Sequence, residues 1–586
     1  MSGARAGTGS RAGPARSPES SPGFPPEEGA AGGAVVPAPR GRERFVARAA
    51  TATAVLTGLG AAAGLLRDQI VASLFGADGA TDAFLVSWTL PEVAATLLID
   101  EAMALVLVPA FSLALARGGR RGVRDLLRAT FPRLLLVLAC AAAVVAAAAP
   151  LVVGALAPGL PEPGLAVDCT RLTAVTLLTF GAAGYASAVL RAHRCFLPPA
   201  AVYLACNAGI VGTALALHGP WGVRAAAAGV AVGGLLMVLV QLPSVLRRTR
   251  RPAGPAPAPR GPARRGRALL AVAGPVALFA LARQAQVLVE RFLASGLPPG
   301  AISCLNYAQK VAQMPMVLAL MICTVTLPLV ARALADGDLE RARRRVERDL
   351  VAAGVVVLLG AAYVVAYAPQ IIHLLFQRGA FDAGATAATA AVMRVYALGL
   401  LGHALVGALV RPFFASGRPV WFPVAAMLPG LLVTVAGGLA AVGPFGAPGI
   451  AAANAAGITL TAFLLLRGLA ARAVPVDTGR LLGRFARLAG AAALAAAAGW
   501  ATAPSGASPL PALALGCAVV PAVFAAGLRL SGVPVAPPVA SLLTRVRTPE
   551  RRSRHVRGEA RGKAREEARE TARGKVGGKP GETGAG

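Results

Sequence analysis

Residues 350–376 read LVAAGVVVLLGAAYVVAYAPQIIHLLF and contain no acidic or basic side chain apart from one histidine. A helix of about 20 apolar residues crosses the ~30 Å hydrocarbon core of a bilayer, so this run is long enough to span one. The residues just before it, 341–348, read RARRRVER, and arginines of this kind collect on the cytoplasmic side of membrane helices. The two segments together predict a transmembrane helix that enters from the cytoplasm.

Similar apolar runs recur along the whole chain. Hydrophobic residues make up 56% of its 586 residues and charged residues only 15%, whereas a soluble globular protein carries about a quarter charged residues. The runs are far longer than the strands of a membrane barrel, so helices are expected. The predicted fold class is an all-α polytopic membrane protein with about fourteen transmembrane helices. The spans are residues 46–66, 82–115, 131–156, 170–190, 197–217, 222–246, 268–294, 302–331, 350–376, 385–410, 419–442, 447–471, 482–502 and 508–531.

The positive charge alternates between loops. If both termini are cytoplasmic, the basic loops all fall on the cytoplasmic side, and Arg224 and Arg378 are the exceptions among the outside loops. This distribution explains the net charge of +31 and argues against a nucleic-acid partner, which such a charge would otherwise suggest. The predicted outside loops are residues 76–81, 157–168, 218–224, 296–301, 370–386, 442–448 and 503–509.

A long basic linker divides the chain into six spans before it and eight after it. Residues 108–118 and 327–337 form a faint internal repeat across this linker, and six-helix repeats of the same orientation are typical of transporters. We therefore predict two lobes with a cavity between them. The predicted divisions are a disordered cytoplasmic arm (1–44), an N-terminal lobe of six spans (45–247), the linker (248–266), a C-terminal lobe of six spans (267–473), two extra helices (474–531) and a basic cytoplasmic tail (532–586).

No catalytic or metal-binding constellation stands out in the sequence. The seven cysteines form no CxxC pair, and the five histidines form no HExxH motif. Gly58, Gly60 and Gly64 lie within an apolar helix, where small residues serve close helix packing rather than nucleotide binding. We expect no cofactor, no metal and no enzymatic activity, and the pattern favours a transporter.

Charged side chains within the spans indicate where function resides, because they are costly in a membrane and usually face a cavity or a partner. Lys310 stands out, since every other lysine lies in the C-terminal tail, and we predict that it faces the cavity. Further candidates for cavity or gating charges are Asp82, Asp100, Glu101 and Arg283. For the three acidic residues, an interfacial position or an internal ion pair is the plainer alternative. The other candidates, within the spans or at their ends, are Arg67, Asp68, Glu92, Glu290, Arg291, Arg394 and Arg411.

Three motifs resemble those of the MurJ/MviN lipid II flippase family. They are RDQIVASLFGA at 67–77 followed by ATDAF at 80–84, LNYAQKV at 305–311 followed by Met314-Pro315, and LLFQRGAFD at 374–382. The resemblance covers about residues 45–531. It implies a bacterial cytoplasmic-membrane protein with two pseudo-symmetric six-helix lobes and two additional helices. It also implies alternating access, a cationic cavity for the diphosphate and sugar–peptide head of lipid II, and a groove for the polyprenyl tail formed with the last two helices.

The resemblance carries specific residues over to this chain. By matching position, Arg67, Asp82 and Lys310 correspond to functionally important charged residues of the family, and Arg67 and Lys310 are the implied binders of the head group. Lys310 replaces the usual arginine, so it keeps the positive charge but loses the bidentate fork. Asp100 matches a family glutamate.

The chain also departs from the family pattern. Ala61 and Ala95 stand where the family usually has arginines, and Gln309 and Gln313 stand where it has acidic residues. The leading hypothesis is a lipid II flippase, driven by membrane potential or an ion gradient, with membrane lipids and cell-wall synthesis proteins as further candidate partners. The alternatives are a flippase for another polyprenyl-linked glycan, a multidrug exporter of similar architecture, and a transport-deficient paralogue that acts as a scaffold or regulator.

Overall fold

The computed structural model describes residues 40–101, 106–250, 265–415, 420–503 and 508–532. Most of the predicted arm, linker and tail therefore lies outside the described residues. The chain divides into a first unit, Met1–Thr51, of which residues 40–51 are described, and a second unit, Ala52–Gly586, which contains the helix bundle.

Helices make up almost all of the described residues, and no strand occurs among them. The predicted all-α fold class is thereby confirmed. In chain order the α-helices are α1 (Arg40–Phe75), α2 (Gly79–Ala95), α3 (Val108–Ala147), α4 (Ala149–Leu156), α5 (Pro163–Ala174), α6 (Thr176–Ala192), α7 (Leu197–Ala200), α8 (Val202–Trp221), α9 (Arg224–Arg250), α10 (Arg265–Ala294), α11 (Ala301–Ala312), α12 (Met314–Ala335), α13 (Leu339–Phe376), α14 (Ala383–Ala415), α15 (Phe422–Arg472), α16 (Thr478–Thr502) and α17 (Pro509–Leu530). A π-helical turn, Thr96–Glu101, follows α2.

The predicted apolar spans coincide with these helices. Within the described ranges, eleven helical segments are long and apolar enough to cross a membrane. The eleven segments count α15 once, although two predicted spans lie in it on either side of Gly446, and they do not include α10 or the α11–α12 pair. These three differences account for the fourteen spans expected from the apolar runs. The polytopic helical class is established, and the count of fourteen stays a prediction.

Two of the breaks inside helices lie between predicted spans. Gly119 interrupts α3 with φ 55° between the predicted spans 82–115 and 131–156, and Gly446 interrupts α15 with φ 58° within the predicted outside loop 442–448. Glycine adopts such left-handed conformations at little steric cost, and it therefore marks the turn in each case. At the start of α2, the carboxylate of Asp78 accepts a hydrogen bond of 2.9 Å from the backbone N–H three residues further on.

The helices pack mainly within two groups along the chain. In the first group α9 packs against α6 and α8, and α2 packs against α5. In the second group α14 packs against α13 and α15, α10 packs against α15, and α16 and α17 pack against each other and against α13. Contacts between the groups are made by α2 and α4 with α10, and by α2 with α11. The exact lobe boundaries stay a prediction.

Candidate functional site

Arg67 and Lys310, the two predicted head-group binders, share one carboxylate. The Arg67 guanidinium donates to Asp68 Oδ1 from Nη2 at 2.7 Å and from Nε at 3.0 Å. The Lys310 ammonium nitrogen lies 3.1 Å from Asp68 Oδ2. We call Arg67, Asp68 and Lys310 the charge cluster. It joins α1 to α11, and its side chains are only 14%, 11% and 26% exposed, respectively.

The charge cluster lies at one depth in the bundle. Arg67 is eight residues before the end of α1, and Lys310 is nine residues after the start of α11. At 1.5 Å per residue these positions are about 12 and 14 Å from the two helix ends. Both helix ends adjoin loops that the sequence predicts to be outside. The charges therefore lie well within the span of the helices, where an unpaired charge would be costly.

Two further side chains orient the Arg67 guanidinium. Its Nη1 donates to Asn207 Oδ1 at 3.1 Å, and its Cζ lies 5.2 Å from the centre of the Trp88 ring. Asn207 Nδ2 in turn donates to the carbonyl oxygen of Gly60 at 3.2 Å. The cation–π contact and the hydrogen bond fix the plane of the guanidinium and direct one of its edges at Asp68.

A break in the helix places Lys310 at its end. Pro315 has no N–H to donate to the carbonyl of Val311, and the chain passes from α11 to α12 at Gln313. Lys310 thus lies in the last turn of α11. Its side chain is the most exposed of the charge cluster.

Asp82, the third residue carried over from the family, has a different kind of partner. Its carboxylate accepts hydrogen bonds of 2.7 Å from the backbone N–H groups of Gly300 and Ser303, and it also accepts one from the Ser303 hydroxyl. These N–H groups belong to the start of α11, where no intrahelical acceptor exists and where the helix dipole favours a negative charge. Asp82 therefore joins the first turn of α2 to the first turn of α11.

Other backbone contacts join the two groups of helices at the same end of the bundle. The N–H of Ala380 donates to the carbonyl oxygen of Ser73 at 2.9 Å, and the N–H of Gly159 lies 3.3 Å from the hydroxyl of Ser295. The loops that meet here are ones that the sequence predicts to be outside. We call this set of contacts the outer closure; it comprises Asp82 with Gly300 and Ser303, Ser73 with Ala380, and Gly159 with Ser295.

The three sequence motifs converge on the outer closure. The buried ring of Tyr307, from the second motif, packs on Phe376 at 5.0 Å and on Phe381 at 6.0 Å between ring centres, and both belong to the third motif. The backbone of Gly379, also in the third motif, lies directly against the carbonyl oxygen of Ser73 in the first motif. Residues that are remote in the sequence thus form one packed layer next to the charge cluster.

Asp100, Glu101 and Arg283 are the other residues predicted to be cavity or gating charges. Asp100 and Glu101 are on the π-helical turn, and their side chains lie outside the described residues. Arg283 lies on α10 with an exposed side chain. In the part of the chain that the structure describes, no group of histidine, cysteine and acidic side chains is suited to hold a metal ion.

Comparison with known proteins identifies the family. The family model described as lipid II flippase MurJ matches residues 71–506. The chain belongs to the MurJ family. The lipid II flippase MurJ of Burkholderia cenocepacia is 29% identical over 439 residues, which cover 73% of this chain and 84% of that protein. The probable lipid II flippase MurJ of Rhizobium meliloti is 29% identical over 458 residues, covering 74% of this chain and 82% of that protein.

Solved structures share the fold of this chain. A structure of lipid II flippase MurJ in an inward closed conformation matches with a TM-score of 0.68 at 17% identity, covering 81% of this chain and 98% of that chain. An inward-facing multidrug resistance transporter of the MATE family matches with a TM-score of 0.56 at 14% identity, covering 73% and 95%. The predicted resemblance is confirmed: this is a multi-span helical membrane protein of the MurJ transporter family.

Proposed function

We propose that this chain is a flippase that moves lipid II from the inner to the outer leaflet of the bacterial cytoplasmic membrane by alternating access. Membership of the MurJ family and the names of its relatives support this cargo. The observation that carries the mechanism is that Arg67 and Lys310 share Asp68. Arg67 is on α1 and contacts α2 and α8 of the first group, whereas Lys310 is on α11, which packs against α14 of the second group. A ligand that occupies this place contacts both groups at once.

The charge cluster is suited to exchange its anion. Two cations and one carboxylate leave one formal positive charge, and the diphosphate of lipid II carries negative charge on several oxygens. In our proposal the diphosphate replaces Asp68 as the counter-ion of Arg67 and Lys310, through charge-assisted hydrogen bonds in surroundings of low dielectric. Asp68 then competes with the bound head group, and this competition allows the head group to be released.

The outer closure keeps the outward side shut while the head group enters from the cytoplasm. In our proposal, α11 couples the closure to the binding site, because it carries both Lys310 and the N–H groups that hold Asp82. When α11 moves away from α2, the hydrogen bonds to Asp82 break and Lys310 separates from Arg67. Opening to the outside thereby weakens the site that holds the diphosphate.

The remaining assignments complete the proposal. The lobes are residues 45–247 and 267–473, both termini are cytoplasmic, and membrane potential or an ion gradient drives the cycle. Asp100, Glu101 and Arg283 act as cavity or gating charges. Cell-wall synthesis proteins are candidate partners.

Complementation tests the cargo. A bacterium is depleted of its own lipid II flippase, and this chain is expressed in its place; we expect growth to be restored. An immunoblot of the membrane fraction verifies insertion. If the protein inserts but growth fails, lipid II is not the cargo. The missing arginines at Ala61 and Ala95 then favour another polyprenyl-linked glycan, which rescue of a strain lacking that glycan's flippase would identify.

A further inference from the structure

Arg394 is an intramembrane arginine that the proposed transport cycle does not use. It lies on α14, eleven residues after the helix begins, which is about 16 Å along the axis. Its guanidinium contacts Trp500, two residues before the end of α16. Arg394 is therefore level with the end of α16, where the chain enters the predicted outside loop 503–509.

One N–H of Arg394 has a structural role. Pro369 within α13 has no N–H, so the carbonyl of Val365, four residues earlier, lacks its helical donor. Arg394 Nε donates to this carbonyl oxygen at 3.2 Å. The backbone of α13 is non-helical nearby, at Tyr367. Arg394 thus supplies the donor that Pro369 lacks, which explains the position of the arginine. This hydrogen bond uses only one of its five N–H donors.

The other four donors face a place that suits an anion. Among the residues that the structure describes, neither Nη1 nor Nη2 of Arg394 has a hydrogen-bond or ion-pair partner. The centre of the Trp500 ring lies 4.2 Å from Cζ, and Trp500 is 52% exposed. Tryptophan is enriched where membrane helices meet the polar headgroups. The guanidinium is thus held by a carbonyl and a ring, neither of which occupies its two terminal nitrogens.

We propose that Arg394 and Trp500 form a binding site for a lipid-borne phosphate in the outer leaflet. The guanidinium fork matches the geometry of phosphate oxygens, and a single cation near the headgroups attracts anionic lipids. Two sources have this chemistry, the phosphodiester of phosphatidylglycerol and the diphosphate of a polyprenyl lipid. The site is separate from the charge cluster, and it does not depend on whether the chain flips lipid II.

The fluorescence of Trp500 provides a direct test. In the full-length protein, Trp88, Trp221 and Trp421 are replaced by phenylalanine, and the protein is placed in nanodiscs. Brominated phosphatidylglycerol should quench Trp500 at a mole fraction several-fold lower than brominated phosphatidylcholine does. Arg394→Gln should remove this preference. Equal quenching by the two lipids in the parent protein would overturn the proposal, as would a preference that survives Arg394→Gln.

Two further variants separate lipid binding from folding. Pro369→Ala restores the missing N–H for Val365, so Arg394→Gln in that background no longer leaves a carbonyl without a donor; the preference should still be lost. Arg378→Gln is the matched control, because Arg378 also donates to an α13 carbonyl, that of Leu374 at 2.6 Å. It removes the same charge from the same end of the helix pair and should leave the preference intact.

Competition identifies the source of the phosphate. Undecaprenyl diphosphate is added to nanodiscs that contain brominated phosphatidylglycerol. Relief of quenching at amounts comparable to the protein assigns the site to a polyprenyl diphosphate, and no relief assigns it to the phospholipid. Both results support the site, provided that Arg394→Gln abolishes the underlying preference.

Discussion

Asp68 and Asp82 are both buried carboxylates that contact α11, yet their partners differ in kind. Asp68 is held by two side-chain cations, those of Arg67 and Lys310. Asp82 is held by two backbone N–H groups and a hydroxyl at the first turn of α11. Each satisfies the rule that buried charges must be paired or hydrogen-bonded. Asp68 meets this rule through side-chain cations and Asp82 mainly through backbone N–H groups, and the two kinds of partner suit different functions.

The difference separates a ligand site from a closure. Arginine and lysine side chains are long, so they can exchange one anion for another without moving the backbone. The N–H groups at a helix start are part of the backbone, and Asp82 can leave them only if α2 and α11 separate. Asp68 therefore stands where a ligand's charge is expected, and Asp82 stands where two helices are held together.

The largest effect is expected when Lys310, one of the two cations of the charge cluster, is removed. Lys310→Ala leaves one cation and one carboxylate, so the charge cluster loses its net positive charge and its attraction for a diphosphate. We expect complete loss of growth rescue in the complementation assay, with normal membrane insertion. Lys310→Arg is the matched control and should retain rescue, since it keeps the charge. Normal growth with Lys310→Ala would remove Lys310 from the proposed site.

Most of the fold follows from the length of the apolar runs and from the basic loops between them. The run at 350–376 lies within α13, as predicted. The helix itself begins earlier, at Leu339, because Asp338 caps it with a 2.9 Å hydrogen bond. Hydropathy reports where a helix meets lipid, and it cannot report how far the helix extends into the polar loop.

Less of the site was predictable. The motifs indicated Arg67, Asp82 and Lys310, but neither the bridging role of Asp68 nor the contact with Asn207 was predicted. Asn207 is on α8, and the periodicity of a helix does not reveal which distant helix packs against it. Asp68 left one signal, because two cations buried together require a counter-charge. The adjacent carboxylate was the obvious supplier.

The second prediction tests whether the carboxylate of Asp68 competes with the ligand. Asp68→Asn removes the competing negative charge while keeping the size of the side chain. We expect the Kd of the purified protein for undecaprenyl diphosphate to fall on the order of tenfold, which corresponds to about 1.4 kcal/mol. Asp168→Asn, in an exposed ion pair with Arg224, is the control and should leave the Kd unchanged. Weaker binding by Asp68→Asn would mean that Asp68 orients the cations for the ligand and does not compete with it.

The third prediction concerns Asp82. Asparagine offers one oxygen in place of two, so its amide NH₂ faces a backbone N–H and a favourable contact is lost. A loss of about 1 kcal/mol raises the open population about fivefold. Cys304, in the first turn of α11, is 6% exposed and reports this opening. With the other six cysteines replaced by alanine, a membrane-impermeant maleimide should label Cys304 about five times faster in Asp82→Asn.

A neighbouring aspartate controls for the effect on α2. Asp78→Asn alters the cap of the same helix, and asparagine is an equally good cap, so labelling of Cys304 should not change. If Asp82→Asn also leaves labelling unchanged, Asp82 does not hold the closure, and the contrast with Asp68 fails.

The last comparison concerns two glycines that share a positive φ. Gly379 and Gly446 both have φ 58°, a value that strains any residue with a Cβ, so alanine is unfavourable for the backbone at both positions. At Gly446 an added Cβ meets no atom within 4 Å, whereas at Gly379 it meets the carbonyl oxygen of Ser73. That oxygen also accepts the hydrogen bond from Ala380.

Gly379→Ala should therefore have a lower melting temperature than Gly446→Ala, because its free energy of unfolding is lower by about 1 kcal/mol or more. Its Cys304 should also react faster with the maleimide. Both variants carry the cost of a positive φ, and only Gly379→Ala adds a contact across the closure. Equal melting and equal labelling would mean that the loop at Gly379 shifts without cost. The contact between Ser73 and Ala380 would then contribute nothing to closure, and Asp82 would carry a correspondingly larger share of it.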